Sequence, residues 1–196
     1  MADRSDKAGN GSEAPGRLAL LDAAARVVAR KGLDGVSYRS VAEEAGTTAG
    51  LVFYHFGSRD SLILEAAVRA GRRAVANALP VGDGEDLDTF LGDLSTSAER
   101  DLADHLFQYE MAFNSRRRPE VAEVMAELYA FYCKETERAL QSLDLPEISP
   151  AMARLVFAAI DGLVLQQVVF DDPARTDGGV RALRMALRTL AGDRAP

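Results

Sequence analysis

Between Ser40 and Leu62 the chain reads SVAEEAGTTAGLVFYHFGSRDSL, and the placing of its glycines, serines and threonines leaves few ways to fold it. Ser37 can cap a short helix, because a hydroxyl there accepts a backbone N–H that the first helical turn leaves without a partner. The inward face of that helix carries Val41, Ala42 and Ala45, and Gly46 supplies the left-handed residue that ends it. Thr47 and Thr48 restart the chain with a threonine cap, and Leu51, Val52 and Phe56 recur at helical spacing to pin a second short helix onto the first. Gly57-Ser58 interrupts again, and Ser58 caps a longer helix from Arg59 to about Leu79, closed by Pro80. Two short helices joined by a tight glycine turn make a helix-turn-helix, and the outer face of the second is left for a partner.

A supporting helix precedes the motif. From Arg17 to Lys31, Leu21, Ala24, Ala25 and Val28 fall at i, i+3, i+4 and i+7, and Gly32 follows as a stop. Residues 1–16 mix Gly, Ser, Asp and Lys without periodicity and are expected to form a disordered arm. They lack the apolar core of a signal peptide, and no stretch approaches the roughly 18 uninterrupted apolar residues of a membrane span, so a cytoplasmic protein outside the membrane is expected. The head with its connecting helix takes residues 17–80. The Gly-rich acidic run VGDGEDLD marks a boundary, and residues 81–196 form a second, helical body. Helices are predicted there near Asp86 to Ser97, Glu99 to Ser115, Pro119 to Leu143, Ser149 to Phe170 and Thr176 to Leu190. No strand pattern competes, so the fold class is all-α.

Charge bears on what the motif touches. The whole chain carries 23 Lys+Arg against 30 Asp+Glu, which by itself speaks against a nucleic-acid partner. The distribution reverses that inference: residues 1–80 hold 11 basic against 9 acidic side chains, whereas residues 81–196 hold 12 against 21. The motif lies in the basic half. Thr47, Thr48, Tyr54, His55 and Arg59, with the helix N-termini near Thr48 and Ser58, place several phosphate donors in one short stretch, and Arg39 adds another.

Over Leu18 to Leu64 these residues resemble the TetR-type (TetR/AcrR) bacterial transcriptional regulators, through the short recognition helix ending in aromatic-His-Phe and the following Gly-Ser-basic-acidic run. The resemblance implies that Thr48, Ala49 and Gly50 meet base edges in the major groove of a double-stranded DNA operator. It also implies that Phe53, Tyr54, His55 and Arg59 reach bases or phosphates. Phe53 stands where the family usually has tyrosine, and Leu51 where it often has threonine, so Phe53 is left to apolar contact with a thymine methyl. For the body the resemblance implies a ligand-sensing and dimerising bundle, and a repressor released when a small-molecule effector binds.

A short recognition helix needs a second copy on a neighbouring half-site, so a homodimer is expected. Ser149 to Phe170 is apolar almost all round, and Leu163, Gln167 and Phe170 are candidate interface residues, joined by the stripe Val180, Leu183, Leu187 and Leu190 in the last helix. His105, Tyr109, Phe113, Tyr129, Tyr132, Phe157, Asp161 and Gln166 are candidates for a mainly apolar effector pocket with a few polar anchors. No cofactor motif, metal-ligand spacing or nucleophile elbow is present, so no enzyme is expected. The single cysteine, Cys133, rules out an intrachain disulfide. The alternatives are the same fold switched through the Cys133 thiol, or an enzyme using His105 and Cys133.

Overall fold

The computed structural model describes residues 16–79, 86–143, 145 and 148–192, with side chains as far as residue 189. Arm residues 1–15, the stretch 80–85 at the expected boundary and the Leu190 side chain lie outside these.

Among the described residues nine α-helices and one 3-10 turn, Leu33–Gly35, account for the regular structure. The head comprises α1 (Arg17–Lys31), α2 (Tyr38–Ala45), α3 (Ala49–Phe56) and α4 (Arg59–Ala78), and its helix ends fall where the hydroxyls and glycines place them. Ser37 and Ser40 cap α2 reciprocally: Ser40 N donates to Ser37 Oγ at 3.0 Å and Ser37 N to Ser40 Oγ at 2.9 Å. Gly46 ends α2 in the left-handed conformation (φ 67°, ψ 38°), which lets Thr47 N reach back to the Ala42 carbonyl at 2.9 Å. The Thr48 and Ser58 hydroxyls then cap α3 and α4.

The body comprises α5 (Leu94–Arg100), α6 (Leu102–Ser115), α7 (Pro119–Gln141), α8 (Pro150–Phe170) and α9 (Pro173–Gly192). Its first part departs from the sequence expectation, because Leu87 to Asp93 coils in turns and helix begins only at Leu94. Asp86 starts this by accepting the Thr89 N–H at 2.9 Å, a local bond that competes with helix, and Leu91 takes a positive φ of 61°. Asp101 then separates α5 from α6.

Two apolar cores result. The first joins Leu20, Ala24 and Val28 of α1 to Val41, Val52, Phe56 and Leu62, and continues into Phe107, Met111, Leu128 and Tyr132 of the body. The second gathers Phe90, Leu94, Leu140, Val156, Ile160 and Val164 with Val180 and Leu187 of α9. Helix α4 touches both, since Ala66 and Ala70 belong to the first core and Leu79, just past its end, to the second. By length and mean hydropathy α8 could cross a bilayer, although Arg154, Asp161, Gln166 and Gln167 interrupt its apolar run as the sequence expectation holds. In the fold it packs between α7 and α9.

Candidate DNA-binding face and effector cavity

The face of α3 turned away from the core is built by its 3.6-residue period. Val52 and Phe56 are buried, so Ala49, Gly50, Phe53 and Tyr54 come out together on the opposite side, beside the exposed cap Thr48. Tyr54 is 81% exposed and Phe53 56%. Phe53 is steadied edge-on against Tyr38 of α2, with ring centroids 5.6 Å apart, and the Tyr38 hydroxyl donates to the Gly57 carbonyl at 3.2 Å. His55 is half-buried against Tyr54 and Phe56, and Thr47 is half-buried in the turn. Arg39 stands in solvent and pairs with Glu43, four residues on, at 3.0 Å, its one ion pair among the described residues.

Arg59 is a correction. Its guanidinium turns inward and donates to the carbonyls of Val36, at 2.7 Å, and Leu33. These carbonyls flank the 3-10 turn, so Arg59 ties α4 to the loop before α2. The basic excess of the head is likewise largely neutralised within it, Arg26 and Arg30 by Glu44 and Arg69 by Asp22. Hydrogen bonds from Arg26 are the largest cause holding the Glu44 carboxyl below its ordinary range.

A cavity of about 60 Å³ lies at the junction of the two cores, walled by α4, α6, α7 and α8. Six of the eight predicted effector residues line it: His105, Tyr109, Tyr129, Tyr132, Phe157 and Asp161. The other two do not. Phe113 is 72% exposed on α6 and Gln166 points out of α8. Gln108, absent from the sequence expectation, is a further polar wall, donating to the Ala67 carbonyl at 2.7 Å and accepting the Tyr132 hydroxyl at 2.9 Å. The Tyr109 hydroxyl donates to the Asp161 carbonyl at 3.1 Å. Burial raises the Asp161 carboxyl above its usual range, pushes the Tyr129 phenol up to about 12, and lowers His105.

An open groove of about 720 Å³ between α7 and α8 shares Tyr129, Phe157 and Asp161 with this cavity. Cys133 lines the groove and His105 the inner cavity, and no hydrogen bond joins them among the described residues, so the proposed dyad is not assembled. No three His, Cys, Asp or Glu side chains group as metal ligands among the described residues.

The expected interface stripe is also corrected. Val180 and Leu187 are each 3% exposed and Gln167 6%, all buried within the chain, with Gln167 donating to the Ser95 carbonyl at 2.8 Å. Leu163 and Leu183 pack against the second core, Leu163 over Gly179, where a Cβ would collide with it. Only Phe170, at 52%, stays exposed. The apolar side chains that face solvent instead are Leu155, Leu165 and Val169 of α8 and Met185 of α9.

Comparisons with known proteins bear on both halves. Residues 20–66 match the model for bacterial regulatory proteins of the tetR family, and residues 82–193 that for the tetracyclin repressor-like C-terminal domain. The HTH-type nicotine-responsive transcriptional repressor HdnoR of Paenarthrobacter nicotinovorans is 28% identical over 171 residues, which span 81% of this chain and 85% of HdnoR. The multidrug binding protein EbrR, solved in complex with ethidium, is 28% identical and superposes with a TM-score of 0.62 over 87% of this chain and 98% of its own. A transcriptional regulator from Rhodococcus sp. RHA1, 23% identical, shares the fold with a TM-score of 0.71, over 91% of this chain and 98% of its own. With both family domains matched in order over the exposed α3 face and the helical body, this chain belongs to the TetR family of DNA-binding transcriptional regulators.

Proposed function

We propose that the protein is a homodimeric repressor, working on double-stranded operator DNA in the cytoplasm and released when a small, mainly apolar molecule enters the cavity between α4, α6, α7 and α8. The observation that carries this reading is the exposed α3 face. Thr48, Ala49, Gly50, Phe53 and Tyr54 have no role in the core, and the first-turn N–H groups of α3 and the Thr48 and Tyr54 hydroxyls are donors of the kind phosphates accept. Ala49 and Gly50 bring the helix backbone close to the groove floor, so specificity rests partly on DNA shape.

Dimerisation is supported by unpartnered apolar stripes. Leu155, Ala158, Gly162, Leu165 and Val169 recur at alternating steps of three and four along α8, the a/d spacing of a helix seam. Ala182, Met185 and Thr189 continue it at the same steps on α9, all exposed. Small residues at 158, 162 and 182 allow close helix approach. The ligand-release reading is supported by the cavity and by two relatives, one named as nicotine-responsive and one as multidrug binding.

Binding-site selection from genomic DNA with the purified protein tests the whole reading. A palindromic operator with half-sites about one helical turn or a multiple apart is expected. Within it, Tyr54→Phe should weaken binding to all sequences alike and leave the salt slope nearly unchanged, because the lost hydroxyl carries no charge. Recovery of no preferred sequence overturns the assignment.

A further inference from the structure

We infer that the effector is an organic cation, its positive charge held against the Asp161 carboxylate within a cage formed by Tyr109, Tyr129, Tyr132 and Phe157. This deepens the ligand-release reading and rests on it. Asp161 is the one acidic side chain in the cavity wall, no lysine or arginine lines it, and Asp161 has no ion-pair partner among the described residues. The other polar walls are occupied: both ends of Gln108 are hydrogen-bonded, and Tyr109 donates to a backbone carbonyl. A half-buried carboxylate without a cation carries a desolvation cost, and a cationic ligand offsets that cost, whereas an anion adds repulsion and a neutral molecule leaves the cost in place.

The aromatic rings act in the same direction. Tyr129 meets Phe157 edge-on at 5.6 Å between centroids, and Tyr132 lies 5.3 Å from Phe157 and 5.5 Å from Tyr129. Three rings this close form a cluster beside one carboxylate, and the negative faces of aromatic rings attract organic ammonium groups. His105 is pushed by burial toward its neutral form and so does not repel a cation near neutral pH.

The path is also defined. The inner cavity of about 60 Å³ holds only a small group, while drug-sized pockets measure roughly 300–1,000 Å³. The groove of about 720 Å³ meets it at Tyr129, Phe157 and Asp161, and its edge at Ala158 and Gly162 also belongs to the proposed seam, so in the dimer a ligand that parts the Tyr129–Phe157 pair would occupy both spaces beside the partner, with its charge at their junction. Lys134, Glu137 and Arg154 belong to the groove lining and not to the inner wall.

The test is calorimetric titration of the full chain with three probes of similar size: benzyltrimethylammonium, its neutral isostere neopentylbenzene, and phenylacetate. The cation is expected to bind at least about tenfold more tightly than the other two, and Asp161→Asn should collapse that preference toward unity. Phe157→Ala should weaken the cation while Asp161 is intact, and thermal melting reports that each variant is folded. Equal or tighter binding of the neutral or anionic probe, an unchanged preference in Asp161→Asn, or no binding of the cation at millimolar concentration overturns the inference. The selected operator, titrated in parallel, separates the two readings. Cation binding without loss of DNA affinity leaves the cation site standing and removes ligand release. Release by the neutral probe alone does the reverse.

Discussion

The Arg59 guanidinium closes the carbonyl end of the Leu33–Gly35 turn, so its removal acts on stability before it acts on DNA. Two charge-assisted bonds at a half-exposed site are expected to contribute about 1–3 kcal/mol, and Arg59→Ala should lower the melting temperature of the free protein accordingly. A variant melting with the wild type would return Arg59 to the phosphates. Asp161 has the opposite stability effect. Its carboxyl titrates above the ordinary range, chiefly because it is buried, so the folded chain holds a proton that the unfolded chain has already released. Stability from that proton is complete below the ordinary carboxylate range and is lost as pH rises through the folded value. Asp161→Asn should therefore stabilise the unliganded protein at pH 7, by about 0.5–2 kcal/mol in urea unfolding, with the gain vanishing below about pH 4. Of the groups facing Asp161, Tyr109 from α6 and Tyr129 and Tyr132 from α7 stay uncharged through that window, and burial shifts His105 of α6 toward its neutral form. A gain persisting unchanged into acid would mean that the Asp161 titration is not its source.

At the scale of elements, α4 joins head to body through charge as well as through packing. Arg73 donates to both oxygens of Asp104 on α6 at 2.6 Å and to Asp22 on α1 at 2.6 Å, and Arg69 holds Asp22 from the next turn. Asp104 is 2% exposed and precedes His105 of the cavity wall, so the same turn of α6 faces the ion network and the effector cavity. Arg73→Leu leaves that carboxylate buried without its cation and should cost about 3 kcal/mol in urea unfolding, most of it recovered when Asp104→Leu is added. Failure of the second substitution to rescue would show that Arg73 matters through packing alone. The short helices of the head were legible in sequence because their ends are fixed by local chemistry: Ser37, Gly46, Thr48 and Ser58 act within four residues of themselves. The start of α5 was not, because the Asp86–Thr89 bond and the turn through Leu91 win over an apolar pattern that also suits a helix. The cavity residues were mostly legible as aromatic and polar groups within apolar helices. Phe113 and Gln166 were not excluded by sequence, since a helix shows its period but not which side its neighbours cover.

Across the whole molecule that ambiguity bears on the proposed dimer. In α9 the regular stripe Val180, Leu183 and Leu187 reads as an interface, yet α5 and α8 cover it and bury it in the second core. The free stripe is the less conspicuous one of alanines, Met185 and Thr189, and on α8 it runs through Leu155, Leu165 and Val169. The second core thus sets the exposed faces of α8 and α9, while the first core carries α3, and the cavity lies where the two meet. On the proposed reading, a ligand that separates the cavity walls would move one core relative to the other and, in a dimer, change the spacing of two recognition helices. Val169→Asp places a charge at the C-terminal end of the α8 stripe, where burying an unpaired carboxylate in the proposed seam is costly. It should yield a monomer at micromolar concentration by light scattering, with the melting temperature of the isolated chain little changed because Val169 is 66% exposed. Affinity for a two-half-site operator should then fall by at least about a hundredfold, since the second half-site is no longer presented at high effective concentration, while binding to a single half-site should stay at its weak wild-type level. A Val169→Asp protein that still sediments as a dimer and holds its operator would move the interface off this face of α8.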